Sequence, residues 1–443
     1  MRDTTRIRFP HLLPALVVGG LLGTVPAAAQ EAEAKYSTWT KVEGAVETRE
    51  YKEKLRDGGQ FDAAARGFAT QVALPQLGFE ANRPTIERVR RRIREVVLTD
   101  IADERAFDDA AKTVLDAMAA LARNGDAEQV VRVNAMLLVG ELRTKDNRPL
   151  PAAAPVLAAA AGDVRLPLEL RIAAAAGLVR HAEAAKAGGD LAVVAKAVGP
   201  ALVPMLSGDP KTGPVAAVDW LAARGLAIMQ AIGPQAGSKE AVAAAARILG
   251  DASRSVDVRI RAAAALGSAA TAESGLDAPR AVESVRGVAI AGLEADFAAA
   301  ERLRMERRVG GGDTQPGGQP PAGGADDPTI PPLACRRDAW RLAVCADAIE
   351  GADAAAGLAA LLGADAAAAK DLAATLRQAA AGLDATPDEQ SVLDALEKLG
   401  KPVAGAPPAA DRPAAPAAVT QPQDVPQQGE ANSPFDAASP FGP

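Results

Sequence analysis

Apolar residues recur along this chain at three- and four-residue spacing, and no stretch sustains the two-residue alternation of a half-buried strand. The regular pattern opens at Pro84, a residue suited to a helix's first turn because its missing N–H would have had no partner there. Ile86, Val89, Ile93 and Val96 then form one apolar stripe. Further helices are predicted over 103–123, 127–144, 152–160, 166–184, 191–206, 215–232, 239–249, 255–272 and 281–308. Ahead of them, residues 42–80 read as irregular, apart from a helix over 61–72 carrying Phe61, Ala65 and Phe68 on one face and ending at Leu74-Pro75. Near the other end, helices over 355–362 and 364–383 precede a last one with a readable start. There Thr386 is the expected N-cap, Pro387 the first residue and Glu389 the partner in a capping box. Val392, Leu393, Leu396 and Leu399 give that helix its buried stripe, and Gly400 stops it. The expected fold class is all-α.

Three of these helices share a local pattern. Val131-Arg132 is followed by Ala135 and closes at Val139-Gly140; Leu170-Arg171 is followed by Ala174 and closes at Leu178-Val179; Val258-Arg259 is followed by Ala262 and closes at Leu266-Gly267. Arg224 with Ala227 and Ile232 reads as a weaker fourth copy, although the wide gap before it implies an inserted loop or helix. Stacked helix pairs account for the residue types. Ala at the seam permits close approach, Leu, Ile and Val fill the gaps, and an Arg near the helix start can send its guanidinium to a carboxylate or carbonyl of the next repeat. Over residues 84–350 the segments resemble HEAT repeats, whose second helix often reads as aliphatic-Arg, then Ala, then aliphatic-Gly. The resemblance implies an α-solenoid and leaves the function open. Together with the N-terminal leader and the Pro-rich tail, the chain resembles exported HEAT-like proteins of bacteria with GC-rich genomes, such as planctomycetes.

Composition breaks divide the chain. Residues 1–29 read as a secretory signal peptide: Arg2, Arg6 and Arg8 precede an apolar run too short to span a bilayer, and Ala27, Ala28 and Ala29 stand before Gln30. No Cys marks a lipid anchor there. Residues 30–83 form an N-terminal segment and cap helix, with Tyr36 and Trp39 as one docking contact, and 84–308 the solenoid. Residues 309–331, rich in Gly and Pro, are expected to be disordered, either as a domain boundary or, the preferred reading, as a long loop between two helices of one repeat. Residues 332–400 complete and cap the stack. Residues 401–443 form a Pro/Ala-rich disordered tail, in which Ser433-Pro434-Phe435 and Ser439-Pro440-Phe441 repeat one tripeptide. Phe435 and Phe441 are candidate anchors for a partner groove, acting through their doubled effective concentration.

Charge and rare residues narrow the chemistry. The formal charge is −7, and removing the leader takes away three Arg and one Asp, which shifts it to −9. With 3% aromatic residues the composition supplies neither the basic field nor the stacking surface of a nucleic-acid binder. Beyond the leader His181 is the sole histidine, placed by its sequence context as a cation near a helix C-terminus. No nucleophile elbow, phosphate loop or dinucleotide fingerprint occurs. Cys335 and Cys345, ten residues apart, lie about 15 Å apart if one helix carries both; two buried thiols are then favoured, and a bridge forms only if the helix begins after Arg336. No enzyme activity, cofactor or metal is expected. The expectation is an exported, periplasmic or envelope scaffold that binds another protein, with Arg132, Arg171 and Arg259 as repeat-surface candidates. The competing expectation is an envelope protein that meets anionic polysaccharide or lipid through Arg88, Arg91 and Arg92 and the arginines between 302 and 308. The preferred reading of the same cluster on 84–96 is a solvated helix face.

Overall fold

A computed structural model describes residues 42–188, 191–208, 215–310, 332–351 and 357–400. The leader, Tyr36 and Trp39, nearly all of the 309–331 segment, and the tail with Phe435 and Phe441 lie outside those residues. Among the described residues the fold is all-α, with no strand and one isolated bridge between Arg143 and Pro149.

The described residues begin with α1 (Val42–Arg56), a helix where an irregular segment was expected. Its sequence signal is weak because, among its described side chains, only two, one turn apart, are buried: Tyr51, whose ring stacks on Phe68 and whose hydroxyl donates to the Val97 carbonyl at 2.9 Å, and Leu55. The helix expected over 61–72 is shorter. Asp62 caps α2 (Ala63–Phe68), and the chain then widens into a π-turn at Ala69–Ala73 and tightens into a 3-10 turn at Leu74–Leu77. Pro84 does not open the next helix. It lies in the 3-10 segment Glu80–Thr85, and α3 begins after it (Ile86–Leu98).

Ten helices follow in pairs: α4 (Glu104–Arg123) with α5 (Gln129–Glu141), α6 (Ala153–Gly162) with α7 (Leu168–Gly188), α8 (Leu191–Leu206) with α9 (Val215–Ile232), α10 (Lys239–Gly250) with α11 (Val256–Ala269), and α12 (Ala278–Gly310) with α13 (Pro332–Glu350). Within each pair the two helices touch. The second helices also pack in succession, α5 on α7, α7 on α9, α9 on α11 and α11 on α13. The first helices α6, α8, α10 and α12 do the same. Thus α13, after the long excursion, lies against both α12 and α11. Then α14 (Ala366–Ala385) covers α13, and α15 (Glu389–Gly400) closes on α14 and α12. The expected Thr386 cap is corrected: Asp388 accepts from Ser391 N at 2.8 Å, so α15 starts two residues later than a Pro387 start would place it. Residues expected to be helical from 355 reduce to a 3-10 turn, Leu358–Leu361, in the described part.

Alanine fills much of the core. Ala135, Ala174, Ala262 and Ala263, with Leu138, Leu178 and Leu266, are buried on the second helices; small side chains let neighbouring helix backbones come together and Leu fills what remains. The arginines of the repeat pattern serve this packing. Arg132, Arg171 and Arg259 are each the fourth residue of their helix. Each donates its Nε, at 3.0 Å, to a carbonyl ten residues back: Ala122, Ala161 and Leu249, in the last turn of the partner helix of the same pair. Helix-end carbonyls have no partner of their own. Arg171 also reaches the first helix of the following pair, where its Nη2 meets the Pro204 carbonyl of α8 at 3.0 Å. Arg224 is not a fourth copy. It is the tenth residue of α9, and Val218 occupies the fourth position.

The α8–α9 pair is tied down by a buried ion pair invisible to the repeat pattern. Arg254, in the loop before α11, meets Asp219 of α9 at 2.6 Å and donates to the Gly208 carbonyl, while Asp219 accepts from Ser255 N. By length and apolar composition, α9 with its following turn (Val215–Ala236) is the one described helix able to cross a membrane, and half of it is buried in this stack.

Candidate binding surface

The second helices carry a strip of half-buried and exposed residues. On α5 it shows half-buried Val133, Leu137 and Glu141; on α7 half-buried Ile172, Ala176, Val179 and Arg180; on α9 exposed Trp220 with half-buried Ala223, Arg224 and Ala227; on α11 exposed Asp257 and half-buried Arg261. Each set recurs at helical spacing, so each lies along one face of its helix. Trp220 is 50% exposed and stands one turn before Arg224.

The guanidiniums on this strip differ in how they are held. Arg90 and Arg94 of α3 turn inward to Glu141, at 3.3 and 3.4 Å, and Arg90 also donates to the Asn134 side chain. Arg180 donates to the Gly140 carbonyl at 3.1 Å. The Arg224 Nε is buried without a hydrogen-bond partner. Burial pulls the pKa of Arg180, Arg224 and Arg261 below the ordinary guanidinium value, and neighbouring arginines add to the pull: Arg143, Arg90 and Arg94 at Arg180, and Arg180 and Arg261 at Arg224. Carboxylates oppose it only at the two ends, Glu141 beside Arg180 and Asp257 beside Arg261. Asp257 is in turn held by Arg341 through two bonds of 2.9 and 2.8 Å. At these half-dehydrated arginines an acceptor oxygen would gain a charge-assisted bond while giving up little water on the protein side.

A second cluster of charge lies where α11, α12 and α13 meet. Arg341 bonds Asp257, Asp296 and Asp338, and Arg337 forks onto Asp296 at 2.6 and 3.1 Å. Burial and the adjacent Asp296 push the Asp338 carboxyl well above the carboxylate range. This is an internal joint: Asp338 is 1% exposed.

The residues expected from sequence fall into three groups. Arg88, Arg91 and Arg92 are exposed on α3, as Arg90 and Arg94 are not. Arg132, Arg171 and Arg259 stand at helix ends with their Nε atoms on carbonyls, and Arg171 is buried. Phe435 and Phe441 lie outside the described residues. The structure does not bring the first two groups together as one site. His181 is corrected too: α7 continues to Gly188, so the ring sits two turns before the helix end, buried, its Nε2 without a partner, with its pKa lowered to about 4 by burial and by Arg180 and Arg143. It is neutral. Cys335 and Cys345 are both buried free thiols on α13. The strip of Arg180, Arg224 and Arg261 escaped sequence reasoning because its members lie far apart in the chain and none stands in a basic run. Among the described residues no group of three His, Cys, Asp or Glu side chains is placed to hold a metal ion.

No protein-family model matches the chain, and no curated protein matches it.

Proposed function

We propose that the chain is an α-solenoid of HEAT-like helix pairs, exported by its N-terminal leader, and that it works without catalysis as a scaffold binding another protein along its second helices. The observation that carries this reading is the unbroken succession of second helices α5, α7, α9, α11 and α13. Repeated pairs that contact only their neighbours build an extended surface, and such surfaces take elongated partners. This one holds half-exposed Trp220 one turn from Arg224, residue types enriched where binding energy concentrates. A scaffold rather than an enzyme also agrees with the burial of His181 and of both thiols.

The test is a photo-cross-linking residue placed at Ala223 on the strip, with Arg247, exposed on α10 of the other row, as the control position. In intact envelope material the Ala223 position gives one dominant adduct and the Arg247 position does not. Equal adducts at both, or none at Ala223, overturn the reading. Export is tested separately by N-terminal sequencing of the mature protein, expected to begin at Gln30.

A second reading draws on the exposure of Arg88, Arg91 and Arg92 on α3: contact with anionic envelope polysaccharide or lipid. Salt-dependent retention on an anionic matrix, lost when all three become Gln, supports it over the first.

A further inference from the structure

We propose that the strip over α7, α9 and α11 receives an extended acidic segment of a partner protein, with carboxylates at every third residue meeting Arg180, Arg224 and Arg261 in turn and the residue beside the central carboxylate lying on Trp220. The inference rests on the scaffold reading and names its occupant.

The geometry sets the spacing. Packed helices stand about 8–10 Å apart, and one arginine is offered per helix, on α7, α9 and α11, which touch in that order. A polypeptide in the polyproline II conformation has three residues per turn and rises about 3.1 Å per residue, so side chains at i, i+3 and i+6 share one face at intervals of about 9 Å. The two periods agree. A β-strand would not serve, because residues three apart on a strand point to opposite sides.

The charges set the sign and the class. Arg224 lies within electrostatic reach of both Arg180 and Arg261, so the free protein holds three like charges in a half-dehydrated row. The central one has a buried, unpartnered Nε. A carboxylate over Arg224 relieves repulsion from both sides.

A uniform polyanion fits less well. The whole chain carries −7 and repels a densely charged polyanion at a distance more than a segment with one carboxylate in three. The strip also ends in carboxylates, Glu141 towards α5 and Asp257 on α11, and is lined between its arginines by Val179, Ala223 and Ala227. That mixture suits a chain whose acidic residues alternate with apolar ones.

The experiment is fluorescence anisotropy with the full chain and a labelled peptide of about twelve residues, Asp at every third position and Pro, Ala or Val between. Saturable binding is expected, weakened about tenfold by Arg224→Gln, since one charge-assisted bond is worth about that factor. Weakening should be greater when Arg180→Gln and Arg261→Gln are added. Replacing Asp by Asn, or bunching the same Asp residues together, should also lower the affinity about tenfold or more. Ala227→Glu, which leaves every arginine in place, keeps the proposal testable should Arg224→Gln impair folding; it too should weaken binding. The triple Gln variant of Arg88, Arg91 and Arg92, off the strip, should bind unchanged.

Equal binding of the bunched peptide, tighter binding of heparin with the same arginine dependence, indifference to both Arg224→Gln and Ala227→Glu, or no saturation by about 1 mM peptide each overturns the proposal. If the peptide fails while the Ala223 photo-adduct persists, the acidic occupant falls and the scaffold stands. If both fail, both fall.

Discussion

Gly140 of α5 and Gly177 of α7 meet backbone to backbone: a Cβ built on Gly140 would stand 2.8 Å from the Gly177 Cα, and one built on Gly177 would meet both the Gly140 Cα and Leu157 Cδ1 at 2.8 Å. Neither neighbour can yield cheaply, since the first is backbone and the second is packed in the core. Gly140→Ala should therefore destabilise the fold by about 2 kcal/mol, the usual cost of overpacking outweighing the better helix propensity of Ala. Gly287 on α12 meets nothing within 4 Å, so Gly287→Ala should stabilise by up to about 1 kcal/mol. Urea unfolding of the two variants beside the parent checks both signs. A neutral Gly140→Ala would mean that α5 and α7 cross less closely than described.

The repeat arginines should rank by the carbonyls they satisfy. Arg171 serves Ala161 and Pro204, whereas Arg132 and Arg259 each make one such Nε bond. Leaving a buried acceptor without a donor costs roughly 1–3 kcal/mol. Arg171→Leu is accordingly expected to lose about 3 kcal/mol and Arg132→Leu or Arg259→Leu about 1 kcal/mol, measured by chemical denaturation. Equal losses at all three would refute the ranking.

The joint at Asp338 makes stability depend on pH. Its carboxyl is raised from 3.8 to about 7, first by burial and then by Asp296, with Arg341 opposing. Between those values the folded chain holds a proton that the unfolded chain has released, so this contribution is full below about pH 4 and is lost as the pH rises through about 7. His181 acts in the opposite direction. Its folded value near 4 lies below the unfolded 6.5, so its contribution is present above pH 6.5 and declines as the pH falls towards 4. Asp338→Asn should flatten the fall in thermal stability between about pH 5 and pH 7.5. An unchanged slope would place the proton elsewhere.

Both thiols should be silent in the folded protein. Burial pushes Cys345 up to about 12 and raises Cys335, helped by Asp338, and the thiolate is the reactive form. A colourimetric thiol titration is expected to find none in the native state at neutral pH and two after denaturation. A helix that carries both cysteines ten residues apart leaves no geometry for a bridge between them, so mild oxidant should not change that count.

Periodicity within a helix belongs to the chain itself, and from it the sequence alone determined the all-helical class, the positions of α4 to α12 and of α14 to within a few residues, and the apolar faces they bury. It also marked Arg132, Arg171 and Arg259 as equivalent, since each repeats one local environment. It misjudged α1, where burial involves little more than Tyr51 and Leu55, and it misplaced the starts of α3 and α15, because several nearby residues can serve as a cap and local packing selects one. Arg224 resembled the repeat arginines by spacing and was assigned to them; the helix register set it six residues further along, where it is half-buried with its Nε on no carbonyl. The Asp219–Arg254 pair, the Asp296–Asp338–Arg341 joint and the row of Arg180, Arg224 and Arg261 were decided only by tertiary structure. Their members lie from about 35 to 85 residues apart except where one helix holds two of them. Which of them become neighbours depends on how whole helices dock, and a pattern read along one helix at a time does not contain that.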